Sequence, residues 1–211
     1  MKKKSSTVSA ISQTKSTALA LFDFDGTLTT RDSFLDFLLY SRGKIRVLSG
    51  SILLAPFLLA YKMRILSNQK AKELVLQYFF KGWQKKRFQE TGCKYGSERV
   101  PQLINPGAWN TLQSHLQKGH TVVIVTASLE EYLRTWTEGQ GLYLIGSRLE
   151  YKNGTITGKL KGKNCYGAEK VHRIRECFTL SNYNSIYAYG DSRGDREMLQ
   201  LADHSFYRSF Q

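Results

Sequence analysis

Three short apolar runs set the rhythm of this chain. "ALALF" (18–22), "TVVIV" (121–125) and "SIYAY" (185–189) are each followed at once by polar or small residues. Runs of this length, rich in β-formers and with no polar alternate face, predict strands buried on both sides in a parallel sheet. Between them, Trp109 to Lys118, Leu129 to Glu138 and Glu169 to Phe178 carry apolar residues at helical spacing. Strand and helix alternate, which predicts a doubly wound, Rossmann-like α/β sheet. One stretch departs from this: in "RLEYKNGTITGKL" (148–160), Asn153-Gly154 divides two alternating segments, as a two-residue hairpin turn demands. The same letters with Thr155 match a glycosylation acceptor, but a hairpin tip explains them fully.

Residues 31–104 break the rhythm, with several helical stretches and no convincing strand. This block holds 14 Lys and Arg against 5 Asp and Glu, so it carries +9 of the formal +14. It reads as a helical insertion into a core made of residues 18–30 and 105–211. With 41% hydrophobic and 12% aromatic residues, the chain as a whole lacks the signature of disorder, so the basic charge sits on a folded surface. Residues 1–17, "MKKKSSTVSAISQTKST", are expected to form a disordered tail; polar residues stand where a signal peptide needs an apolar run. Cys93, Cys165 and Cys177 form no C-x-x-C pair and leave an odd number, which suggests neither a disulfide framework nor a zinc site and fits a reducing cytoplasm. His115, His120, His172 and His204 share no metal-ligand spacing either.

Candidate chemistry lies at the strand ends, where open α/β sheets bind ligands. Asp23 and Asp25 follow the first strand, Thr126 the second, and Asp191 and Asp195 the third. Converging carboxylates repel one another and call for a hard cation with oxygen ligands, magnesium foremost. Beside such a cation a carboxylate can attack phosphorus, and a neighbouring one can protonate the leaving oxygen and later deprotonate water. The duller reading makes Asp23 and Asp25 helix caps and Thr126 an ordinary strand-end hydroxyl, with Ser128 as its rival.

In this order, "DFDGTLT", "VVIVTAS", "GAEKV" and "YGDSRGD" resemble the four motifs of the haloacid dehalogenase superfamily of phosphatases, from Leu21 to about Leu199. The resemblance implies a magnesium-dependent phosphatase that hydrolyses a phosphate monoester through an aspartyl-phosphate. Asp23 would be the nucleophile, and Asp25 the general acid and base with its backbone carbonyl on the metal. Thr126 and Lys170 would bind the phosphoryl group, a role for which Lys159, Lys161 and Lys163 are weaker rivals. Asp191 would complete the Mg2+ site with Asp195 as a further or outer ligand. The insertion resembles the helical cap of the phosphoserine-phosphatase-like subfamily, which selects the leaving group. Asp32 stands where phosphoserine phosphatases carry a glutamate facing the substrate amine, a change that puts that substrate in question.

"VLSGSILLAPFLLAY" (47–61) has no charge, with Arg42, Lys44 and Arg46 before it and Lys62 and Arg64 after it. It is short for a spanning helix, and Pro56 is expected to kink it. Two readings stay open. The run forms the core of the cap itself, or it docks on an anionic membrane and admits a lipid phosphate. In the second case the segment resembles that of phosphatidylglycerophosphatases in the same subfamily, which implies phosphatidylglycerophosphate as substrate and a peripheral place on the inner face of the membrane. "YFFKGWQKKRF" (78–88) interleaves rings and bases as single-strand nucleic-acid binders do, but the spacing suits a helix packing inward, and nucleic acid is not the expected partner. A reading of another class, a basic membrane- or nucleic-acid-binding protein on an inactive core, stands against the intact acidic and lysine constellation.

Overall fold

A computed structural model describes residues 18–211; the tail expected to be disordered, residues 1–17, lies outside them. The strands are β1 (Leu19–Phe22), β2 (Thr121–Leu129), β3 (Tyr143–Ser147), β4 (Leu149–Lys152), β5 (Thr155–Leu160), β6 (Ile186–Gly190) and β7 (His204–Tyr207). Five form a parallel sheet of order β3-β2-β1-β6-β7. The doubly wound α/β expectation therefore holds. Side chains alternate across each strand, so Ala20, Phe22, Val122 and Ile124 join one apolar cluster while Leu19, Leu21, Val123 and Val125 join another. Both faces of β1 are buried, which is why its sequence shows no polar alternate.

The outer strands β3 and β7 are not legible in the apolar pattern: "YLIGS" and "HSFY" are short and partly or wholly exposed, and the parent sheet supplies their pairing. β2 runs on to Leu129, with a register irregularity between Val125 and Leu129, so Thr126 and Ser128 lie within it rather than after it. The helix expected from Leu129 begins one residue later.

Five helices follow β1 before the chain returns to the core at Asn105: α1 (Ser33–Arg42), α2 (Lys44–Lys62), α3 (Asn68–Phe80), α4 (Lys85–Glu98) and α5 (Val100–Leu103). The chain leaves and re-enters the core side by side: the Thr30 N–H donates to the Leu103 carbonyl at 2.9 Å and the Asn105 N–H to the Leu28 carbonyl at 2.8 Å. Four more helices, α6 (Pro106–Gln117), α7 (Glu130–Gly139), α8 (Ala168–Cys177) and α9 (Arg196–Leu201), accompany the sheet. The β4–β5 hairpin turns on Asn153 and Gly154, with φ of 50° and 74°. Both are left-handed, as the mirror-image turn requires. The hairpin also ties down the helical block, since the Gly82 N–H donates to the Ile156 carbonyl and the Ile156 N–H to the Trp83 carbonyl, each at 2.9 Å. Rings of the 78–88 segment pack inward: Phe80 and Phe88 meet edge to face at 5.1 Å and Phe88 meets Phe37 at 5.4 Å. Pro56 leaves α2 continuous, although it offers no N–H to the Ile52 carbonyl.

Behind β6, His115 and His120 place their Nδ1 atoms 2.7 Å apart, and His115 Nε2 lies 2.9 Å from the Tyr189 hydroxyl. One Nδ1 must donate and the other accept, so this contact exists only while one of those nitrogens is unprotonated. Burial first, then the His120 and Lys118 charges, push His115 down to about 4. Its folded value lies below its unfolded one, so this stabilisation is complete above the ordinary histidine range and is lost as pH falls toward 4. Urea denaturation at a series of pH values is expected to show a loss on the order of 2 kcal/mol across that window, and His115→Gln should flatten it.

Candidate active site

The sheet twists its strand ends into one pocket, and the first carboxylate arises directly from β1. The Asp23 N–H donates to the Tyr189 carbonyl at 2.9 Å, extending the β1–β6 pairing by one residue and aiming the buried side chain beyond the sheet. A tight turn over Phe24–Leu28 follows, with Gly26 at φ 80°. A Cβ on Gly26 would lie 2.5 Å from Asp191 Oδ2, so glycine is needed both for the conformation and for the approach of Asp191. Thr29 closes the turn, donating to the Phe24 carbonyl through its N–H at 3.0 Å.

Lys170, from α8, is buried beneath these groups. Its Nζ donates to Asp23 Oδ1 at 2.5 Å, to Asp195 Oδ1 at 2.6 Å and to the Val125 carbonyl at 2.6 Å. All three ammonium donors are thereby used. Burial alone would lower its affinity for the proton, but the charges of Asp23 and Asp195 outweigh burial and hold Lys170 above the usual lysine range. Burial raises Asp23, with Lys170 pulling the other way. Its second oxygen, Oδ2, receives no hydrogen bond among the described residues.

Asp195 is fully committed: Oδ1 meets Lys170, and Oδ2 accepts from the Ser192 N–H at 2.9 Å and the Ser192 hydroxyl at 2.7 Å. Asp191 is not. Its Oδ1 is buried with no hydrogen-bond partner, and burial followed by the Asp195 charge raises its carboxyl. One oxygen from each of Asp23, Asp191 and Asp195 falls within 4.8 Å of the others. Three clustered carboxylates, one with an orphaned buried oxygen, exceed what Lys170 alone can neutralise. The donor set, all oxygen, suits a hard divalent cation such as Mg2+.

Asp25 points elsewhere. Its carboxylate is not in that cluster; Oδ1 accepts the Ser33 N–H at 2.6 Å and Oδ2 accepts the Ser128 hydroxyl at 2.5 Å. Burial first, then the Asp32 charge, raises its carboxyl. A carboxyl that holds its proton more tightly than usual is what leaving-group protonation needs. The Ser128 hydroxyl also lies 3.1 Å from that of Ser33, so the core and the base of α1 meet at Asp25. Thr126 lines the same cavity, and its hydroxyl accepts the Ser128 N–H at 2.9 Å. Asp32 caps α1, accepting the Leu35 N–H at 2.8 Å, while also lining the cavity.

Sequence reasoning passed over Lys72. It reaches down from α3 to donate to the Ala127 carbonyl at 2.7 Å, and burial pushes it down to about 8 against the opposing charges of Asp25 and Asp32. Nothing in the sequence separates it from the other 13 bases of the insertion; only the fold aims it at the carboxylates. Ser33 and Ser192 went unremarked for the same reason. The cavity measures about 470 Å³, with the carboxylates, Thr126 and Lys170 at one end and apolar walls from the helical block.

A family model for haloacid dehalogenase-like hydrolases matches residues 20–200. Protein CicA of Caulobacter vibrioides is 38% identical over 194 residues, covering 91% of this chain and 86% of that protein. Phosphoserine phosphatase SerB1 of Mycobacterium tuberculosis is 27% identical over 194 residues, covering 88% of this chain and 62% of SerB1. Among solved structures, a phospho-aspartyl intermediate analogue of phosphoserine phosphatase superposes with a TM-score of 0.64 at 19% identity, covering 89% of this chain and 84% of that one.

Proposed function

This chain belongs to the haloacid dehalogenase-like hydrolases and is a phosphomonoester hydrolase of the phosphoserine-phosphatase-like kind; we propose that it works with Mg2+ through an aspartyl-phosphate on Asp23. The observation that carries this reading is the clamp on Asp23, which lines the cavity: Lys170 holds Oδ1 and leaves Oδ2 without a hydrogen bond among the described residues. Oδ2 attacks phosphorus, the bond from phosphorus to the ester oxygen breaks, and the leaving oxygen takes the proton held by Asp25. Asp25, now ionised, removes a proton from water, which attacks the same phosphorus and returns the Asp23 carboxylate with release of inorganic phosphate. Lys170 and the Thr126 hydroxyl bind the transferring group, and Ser128 and Ser33 hold Asp25 in line. Mg2+, held by Asp23, Asp191 and the Asp25 backbone carbonyl with Asp195 orienting the loop, would supply positive charge against the anionic phosphoryl oxygens.

The walls argue about the leaving group. Phe34, Leu38, Val47, Leu54, Leu58 and Phe79 line the cavity beyond the carboxylates. Asp32 spends one oxygen on capping α1, so a single carboxylate oxygen remains there to meet an amine. An apolar leaving group, as in a lipid phosphate such as phosphatidylglycerophosphate, suits these walls better than phosphoserine does.

Release of p-nitrophenol from p-nitrophenyl phosphate tests the metal assignment. Activity should be restored to chelator-treated protein by Mg2+, and Asp191→Asn should raise the Mg2+ concentration needed for half-maximal rate by about tenfold or more. Turnover unchanged by chelation, or by that substitution, would overturn it. Phosphate release from a panel of phosphoserine, sugar phosphates and lipid phosphates tests the leaving group.

A further inference from the structure

Helix α2 is apolar on every side, yet only one side is covered. Val47, Ser51, Leu54, Leu58 and Tyr61, spaced by four and three residues, line the active-site cavity, with Val47 and Leu54 buried. Ile45, Leu48, Ile52 and Leu59 form a separate stripe about a third of a turn away. These four are exposed by 88%, 65%, 69% and 58%, and Leu53 and Phe57 extend the open face. A helix that is hydrophobic all round is normally buried, and a continuous apolar face of this size marks an interaction surface.

Length and composition would let Lys44–Lys62 cross a membrane, but its connections forbid it. One stripe walls a cavity lined by five carboxylates, and both ends return to the same helical block through α1 and α3. The helix can therefore only lie along a surface.

Charge identifies the surface. Arg42, Lys44 and Arg46 stand at one end of the stripe and Lys62 and Arg64 at the other. Lys62 and Arg64 also line, with Arg193 and Arg196, a cavity of about 960 Å³ beside the active site. None of these four is in an ion pair among the described residues. A second copy of the chain would set these bases against their own kind. An anionic bilayer would instead take the apolar stripe between its headgroups while the bases at either end reach its phosphates.

We infer that the exposed stripe of α2 docks this protein on anionic lipid bilayers, lying in the plane of the interface with the active-site cavity opening beside it. Docking does not depend on the phosphatase reading. The full chain should sediment with phosphatidylcholine vesicles containing phosphatidylglycerol, more weakly as salt rises, and poorly with phosphatidylcholine alone. Leu48→Glu with Ile52→Glu should weaken vesicle binding by about 10²-fold, with hydrolysis of p-nitrophenyl phosphate kept within about twofold because neither residue lines the cavity. Size-exclusion chromatography of both forms accompanies the assay.

A wild type that ignores anionic vesicles overturns the inference, as does a double variant that binds them equally well. So does a wild-type dimer that becomes monomeric in the variant while vesicle binding is absent, since a second copy then covers the stripe. Vesicle binding without p-nitrophenyl phosphate turnover would leave docking standing and remove the phosphatase mechanism.

Discussion

Asp23→Asn is expected to reduce p-nitrophenyl phosphate turnover by roughly 10⁴-fold or more. The amide has the shape of the carboxylate and can keep one contact to Lys170, but it cannot form an acyl phosphate. Stability should hold or rise, because the substitution removes a buried charge whose ionisation burial already opposes. Beryllofluoride with Mg2+, an acyl-phosphate mimic, should bind the wild type and protect it against thermal unfolding, and should do neither for Asp23→Asn. A variant that keeps its rate would show that water, not the aspartyl oxygen, attacks phosphorus. A variant that loses its fold would show that the Asp23–Lys170 pair is structural first, and Asp23→Ser would then be used to read the chemistry.

Lys170→Met should damage stability and activity together, for separable reasons. The ammonium group is the partner of two buried carboxylates, Asp23 at 2.5 Å and Asp195 at 2.6 Å. Removing it leaves both charges desolvated and mutually repelling, at a cost of about 3–5 kcal/mol. Urea denaturation measures this loss. Saturating Mg2+ should recover part of it, since a cation bound only by the folded state stabilises that state by mass action. Adding Asp195→Asn to Lys170→Met should recover more, because one of the two orphaned charges disappears. Neither treatment should restore turnover, as the phosphoryl group still lacks its cation. A single variant with wild-type stability would mean that the two carboxylates are protonated and the ion pairs are not formed.

The acidic constellation was legible in the chain because each member follows a strand whose apolar pattern is unmistakable. Asp23 after "ALALF" and Asp191 after "SIYAY" are brought together by pairing β1 to β6, which parallel register alone nearly dictates. Asp25 was legible as a residue but not in its direction: the turn at Gly26 sends its carboxylate to Ser33 and Ser128 and away from the other three. The apolar run 47–61 was legible as an anomaly, but not which of its residues line the cavity and which face solvent.

The periodicity of apolar residues and the order of the four motifs determined the parallel core, the run of helices after β1 and the family, since burial on both faces of a strand and the geometry of a strand end are local consequences of sequence. Tertiary structure alone decided which of the insertion's 14 bases enters the site, which oxygens are left without partners, and which stripe of α2 faces solvent. Those outcomes depend on contacts between residues far apart in the chain. Lys72 meets the Ala127 carbonyl across 55 positions, and no local pattern of hydrophobicity or charge encodes such a meeting.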